Sequence, residues 1–233
     1  QRGSLGAYLA GLGAEIDFIV TNTAGVCDTN ANAFAFSHKH LNKPFYALNY
    51  PSGLTDEPSN QYHRDDFRGL VAFLEKQTGK RLDQDRLKQV LEEIARQEKI
   101  IGEMEELQMM VPNPMPAAYN FMIYGGRVMF SGKPGDTKLV SDMLGVGRKN
   151  AEKGASGLFS GKERIRAFFF YIDHYNMGLS LWDFLDRHGI SHLGGILSRS
   201  FKDDAPYMKK MEDVAYRIDT TDLDSMIDSI AMI

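Results

Sequence analysis

Apolar and polar positions change period several times along the chain, and each change marks an element. Residues 4–12 repeat at helical spacing, and Gly13 follows as a C-terminal cap. "IDFIV" (Ile16 to Val20) is a short apolar run rich in β-branched residues, the pattern of a buried strand. The stretch "NAFAFSHKHL" returns to helical spacing, and "KPFYALNYP", bounded by Pro44 and Pro51, reads as a second strand. Strand, loop, helix and strand make one βαβ unit, whose strands are parallel. From Glu57 to Val111 the period is helical throughout. One helix carries Phe67, Leu70, Val71 and Leu74 on one face and stops at Gly79. The next carries Leu87, Val90, Leu91, Ile94, Ile101 and Met104, with a charged face opposite that reads as solvated.

"VPNPMPAAYN" contains three prolines, cannot continue a helix, and reads as a boundary. Beyond it the α/β alternation resumes. A helix is expected over about 117–129, and another inside the glycine-rich stretch 132–161. Ile165 to Ile172 is almost continuously apolar, as in a central parallel strand. "SLWDFLDRHG" follows as a helix stopped by Gly189, and "ISHLGGIL" as the next strand. The expected fold class is therefore α/β. Two flavodoxin/Rossmann-like parallel-sheet lobes, 1–56 and 116–233, flank a helical segment, 57–115. Residue 1 is Gln, and "DLDSMIDSIAMI" ends the sequence inside a helical pattern. The chain thus reads as an internal fragment with both lobes incomplete.

Composition narrows the function classes. Of 233 residues, 43% are hydrophobic and 25% charged, and the formal net charge is −4. Acidic and basic groups are mixed, without the basic face that non-specific nucleic-acid binding requires. No apolar run is long enough to span a bilayer and no signal peptide is visible, so a cytoplasmic location is expected. A single cysteine, Cys27, rules out a disulfide within these residues.

Ligands of open α/β sheets sit beyond the carboxyl ends of the strands. Two stretches meet that rule: Asn22 to Asn32 after the first strand, and Asp173 to Met177 after the phenylalanine-rich one. Cys27 lies just ahead of a helix start, where free N–H groups and the helix dipole favour a thiolate. That is the form a nucleophile or a soft-metal ligand takes, although a packed cysteine would also suit the turn. The neighbouring Asp28 suits a helix start. No CxxC pair and no GxSxG occurs, and "GLGAEI" precedes its strand instead of following it, so it is not a dinucleotide fingerprint. His38 and His40 cannot share a helix face, and His188 and His192 straddle the helix stop at Gly189. His174, in "YIDHYN", stands at the expected carboxyl end of a strand and is the candidate proton donor or acceptor.

The stretch "CDTNANAFAFSHKHLNKPFYALNYP" resembles the region around a cluster cysteine in the 2-hydroxyacyl-CoA dehydratase and benzoyl-CoA reductase superfamily, in particular proteins like the 2-hydroxyglutaryl-CoA dehydratase D-component. "FRGLVAFLEKQTGKRLDQDRLKQVL" is similar to the long helices that follow there. "KERIRAFFFYIDHYNMGLSLWDFLDRHGISHL" is similar to the start of the family's second lobe, and "RGSLGAYLAGL" to the helix after its first cysteine. The resemblance implies paired, related subunits and a [4Fe–4S] cluster held by cysteines from several parts of the chain. It also implies an acyl-CoA substrate and an ATP-dependent iron–sulfur activator that injects one electron. The electron reaches the thioester, and the resulting ketyl radical permits elimination of water or, in the reductases, ring reduction. On this reading Cys27 is a metal ligand, Asn22 supports it, and the remaining cysteine ligands lie outside these residues. The alternatives are a non-catalytic subunit of the same fold without a cluster, and an unrelated flavodoxin-like domain that binds a phosphorylated ligand.

Overall fold

The computed structural model describes residues 16–22, 28–49, 57–169, 179–195 and 219–232. They form two compact units, 1–84 and 85–233. The class is mixed α/β, with one small parallel sheet in each unit.

In the first unit, strand β1 (Ile19–Asn22) pairs in parallel with β2 (Phe45–Leu48). The register runs from Ile19 opposite Phe45 to Asn22 opposite Leu48. Helix α1 (Asp28–Leu41) makes the crossover. The strand starts later than its apolar run and continues into the polar Thr21–Asn22. The reason lies in the partner: the Ile19 N–H donates to Pro44 O at 2.9 Å, and pairing then lasts as long as β2 does. Helix α2 (Glu57–Thr78) packs on β2. Its Phe73 meets Phe18 edge-on at 5.7 Å and Tyr46 at 5.4 Å, both favourable ring distances. The helix ends where expected, at Gly79, whose φ of +68° favours a residue without a side chain.

The second unit begins with α3 (Gln84–Gln108), followed by α4 (Ala118–Met129) and α5 (Pro134–Glu152). Ile101 and Met104 of α3, Met115, Ile123 of α4, and Val140, Met143 and Leu144 of α5 form its first hydrophobic cluster. The proline-rich connection contributes to the interior: Asn113, Pro114, Met115, Pro116 and Ala117 are all buried, and the Val111–Pro112 peptide is cis. Strand β3 (Ile165–Phe169) pairs in parallel with β4 (Ile190–Gly195), on either side of α6 (Leu179–His188). Ala117, Trp182 and Leu185 form a second cluster with Phe121, Phe169 and Ile190 against it. Gly189 ends α6 with a φ of +76°, and a Cβ there would lie 2.7 Å from Lys162 O. Helix α7 (Leu223–Met232) buries Met226 and Ile227.

The expected solvated charged face of α3 is present along Lys88, Glu92, Arg96, Lys99 and Glu106, but it is narrower than the polar pattern implies. Glu93, Gln97, Glu105 and Gln108 are buried. Gln97 accepts the Gly132 N–H at 2.8 Å and donates to Lys133 O at 3.0 Å, while Glu93 takes a hydrogen bond from Thr137. The turn into α5 covers that side of α3, and these polar groups satisfy its backbone. No helix of the described residues is long and apolar enough to cross a membrane.

Candidate functional site

Parallel pairing puts the carboxyl ends of β1 and β2 side by side, at Asn22 and Leu48. This is where the ligand rule for open α/β sheets directs attention. Asn22 closes the pairing through its backbone; its side chain lies outside the described residues, as does Cys27. The flanking elements bracket the cysteine: β1 ends at Asn22 and α1 begins at Asp28, the residue after it. His174 also lies outside the described residues, in the connection from β3 to α6.

The described part of this strand end is held by a residue that the sequence reading did not single out. Asp66, on α2, accepts the Asn49 N–H on Oδ2 at 2.5 Å. The single proton of the Tyr46 phenol has two acceptors in reach on Asp66, Oδ1 at 2.8 Å and the backbone O at 2.6 Å. Burial, and then the hydrogen bond and negative charge of Asp66, push the Tyr46 pKa up to about 12, so the phenol keeps its proton. Room for this ring depends on Gly69, one turn after Asp66, where a Cβ would stand 2.3 Å from Tyr46 Oη. The available signal was the acidic residue one turn ahead of a glycine in "DDFRG". Without a partner strand, however, that acid is indistinguishable from its solvated neighbour Asp65.

In the second unit the sheet end rests on a buried polar framework. His192, which the sequence places across the helix stop from His188, is wholly buried in β4. Its ring stands edge-on to Phe169 at 4.3 Å and to Trp182 at 4.9 Å. Its partner in that expectation, His188, is exposed on the last turn of α6. The backbone carbonyl of His192 accepts from Asn120 Nδ2 at 2.8 Å, and Asn120 Oδ1 accepts from Gln108 Nε2 at 3.1 Å. Asp186 replaces the N-terminal cap that Ala117 cannot supply to α4, accepting the Ala117 N–H at 2.8 Å. Its burial pushes the carboxyl pKa up, opposed by the amides of Ala117 and Ala118. Asn120 thus holds the middle of β4, and Asp186 holds the start of α4.

Other features do not compete as a reaction site. A surface cavity of about 400 Å³ is lined by Ala72, Glu75, Lys76 and Arg81, at the end of α2 remote from Asp66. Glu75 there is occupied by Arg81 at 2.9 Å and the Leu82 N–H at 2.8 Å. Among the described residues, no group of three or more His, Cys, Asp or Glu could hold a metal ion.

The donor chemistry available for a [4Fe–4S] cluster is therefore Cys27. In sequence Cys27 directly precedes α1, and the free amides of a helix's first turn in general favour a thiolate, the form that iron takes as ligand. The residues present fit a cluster as the source of one ligand.

The model of one protein family, described as 2-hydroxyglutaryl-CoA dehydratase, D-component, matches residues 1–232. No curated protein matches the chain.

Proposed function

Because the chain belongs to the 2-hydroxyglutaryl-CoA dehydratase D-component family, we propose that it is part of the cluster-binding subunit of a (R)-2-hydroxyacyl-CoA dehydratase. The observation that carries this reading is the match across almost the whole chain, to a family linked to iron–sulfur clusters and acyl-CoA dehydration. The bracketing of the single cysteine between the end of β1 and the start of α1 supports it. The same match favours elimination of water over the ring reduction of benzoyl-CoA reductases, since the family described is a dehydratase component.

In this reading Cys27 is one thiolate ligand of a [4Fe–4S] cluster, and Asn22 supports it from the end of β1. When bound, such a cluster supplies one-electron chemistry to an acyl-CoA thioester. The chain's own residues hold and orient. The parallel strand ends fix where the connection to Cys27 departs, and α1 offers its N-terminal amides to the sulfur. His174 is the candidate for holding or moving a proton at the substrate, from the connection after β3. The remaining ligands come from residues beyond these, and a related subunit and an ATP-dependent activator complete the system.

Substituting Cys27→Ser in the assembled enzyme tests the assignment. Anaerobically purified variant should lose iron and activity while its far-ultraviolet circular dichroism matches the parent. A variant that keeps its full iron content would remove Cys27 from the ligand set. A parent protein devoid of both iron and dehydratase activity would favour the non-catalytic subunit.

A further inference from the structure

We propose that the hollow at the carboxyl end of α2 binds a small phosphate-bearing molecule, a function that goes beyond the cluster reading and does not rest on it. The hollow measures about 400 Å³ and is lined by Ala72, Glu75, Lys76, Gly79, Lys80 and Arg81. Small-ligand sites occupy roughly 300–1,000 Å³. A second hollow of about 150 Å³ shares Glu75, Lys80 and Arg81 with it and adds the apolar Val71, Leu74 and Leu82. One turn builds both. Gly79, at a φ of +68°, lets the chain double back, and the Leu82 N–H returns to Glu75 Oε1 at 2.8 Å.

A helix carboxyl end ordinarily disfavours an anion, because its last carbonyls carry partial negative charge. Two of these carbonyls are already occupied. Thr78 Oγ1 donates to Leu74 O at 2.7 Å, and the Gly79 N–H donates to Glu75 O at 2.9 Å. The Glu75 carboxylate, the one acid lining either hollow, accepts from Arg81 Nη1 at 2.9 Å and from Leu82. Among the described residues, the ammonium groups of Lys76 and Lys80 have neither an ion-pair nor a hydrogen-bond partner. Pairing with the helix dipole accounts for the cation in the last turn, Lys76, but not for two more gathered past the stop at Gly79. Charge of one sign in a cleft with apolar walls focuses the field there. A guanidinium edge beside two ammonium groups matches the several oxygens of a phosphate. The cations cluster in one short stretch around one hollow, which suits a compact anion over an extended acidic peptide.

Calorimetric titration of the full-length protein with inorganic pyrophosphate at low ionic strength tests the site. The parent should show saturable binding with a Kd of about 1 mM or tighter. The double variant Lys76→Ala/Lys80→Ala should bind at least about tenfold more weakly, as expected when charged donors to a phosphate are removed. Both lysines are exposed, so the variant should fold, and its circular dichroism should match the parent. The control is Lys88→Ala/Lys99→Ala, which removes the same charge from exposed positions of α3. Its affinity should stay within about twofold of the parent, because exposed charges farther apart than a Debye length are largely screened. Equal weakening in the two double variants would mean diffuse attraction by overall charge and overturns the proposal. Absence of saturable binding by the parent overturns it as well. A hexaglutamate peptide that binds the parent more tightly than pyrophosphate, and loses that affinity in Lys76→Ala/Lys80→Ala, would assign the surface to an acidic protein segment instead.

Discussion

Tyr46 is a surface-type residue placed in a half-buried seat, and its protonation is coupled to the fold. With a folded pKa of about 12 against an ordinary 10.0, the native state holds the phenolic proton more tightly than the unfolded chain. The stability this contributes is complete below pH 10 and is lost as the pH rises through about 12. Tyr46→Phe should remove this component, so the stability gap between variant and parent, followed by urea unfolding, should change across that window and stay constant below it. Gly157 illustrates a different constraint. A Cβ there would stand 2.2 Å from Pro114 O and 2.6 Å from Met115 N, backbone atoms that cannot turn aside. Gly157→Ala should cost about 1–3 kcal/mol in the same assay, the range for forced overpacking. Nothing in "ASGLFSG" announces this, because the obstacle is contributed by residues 114 and 115.

At the scale of elements, boundaries set by local chemistry were legible and burial set by partners was not. The stops of α2 at Gly79 and of α6 at Gly189 follow from backbone freedom, and both glycines adopt positive φ. The inner face of α3 was also legible, since Leu91, Ile101 and Met104 are buried at helical spacing. So was the exposed charged stripe of Lys88, Glu92, Arg96, Lys99 and Glu106, but not the burial of Glu93, Gln97 and Glu105 between the two, which depends on the elements packed against them. The carboxyl end of α3 shows the same dependence on distant residues. Arg166 of β3 donates to the carbonyls of Gln108, Met109 and Met110 at 3.0, 3.3 and 2.9 Å and is held by Glu163 at 2.7 Å. Arg166→Ala should cost about 1.5–3 kcal/mol, the range for hydrogen bonds from a charged donor. Amide hydrogen exchange should rise around residues 108–111 and at Asn113, whose N–H bonds Glu163 at 3.3 Å. A variant with unchanged exchange there would show that the α3 terminus holds without this cap.

At the scale of the molecule, each unit has a small parallel sheet, and the two are supported differently. In the first, Asp66 ties the end of β2 to α2. In the second, Asn120 of α4 bonds the β4 backbone at His192, and Asp186 of α6 bonds the amide of Ala117 at the start of α4. On the ligand reading of Cys27, the fold should survive Cys27→Ser, and loss of iron should be separable from loss of structure.

The sequence by itself determined the α/β class, the alternation of strands and helices, and the glycine stops, because period and backbone freedom are local properties. It also carried the family, through the cysteine stretch and its sequel, later matched over residues 1–232. Only the tertiary structure decided the parallel registers, the interior placement of His192 and of Glu93, Gln97 and Glu105 on α3, and the hydrogen bonds of Asp66 to Tyr46 and Asn49. Each depends on which element lies opposite. A carboxylate on a helix becomes an anchor only when a strand end supplies an N–H within reach, and no pattern within the helix records that neighbour.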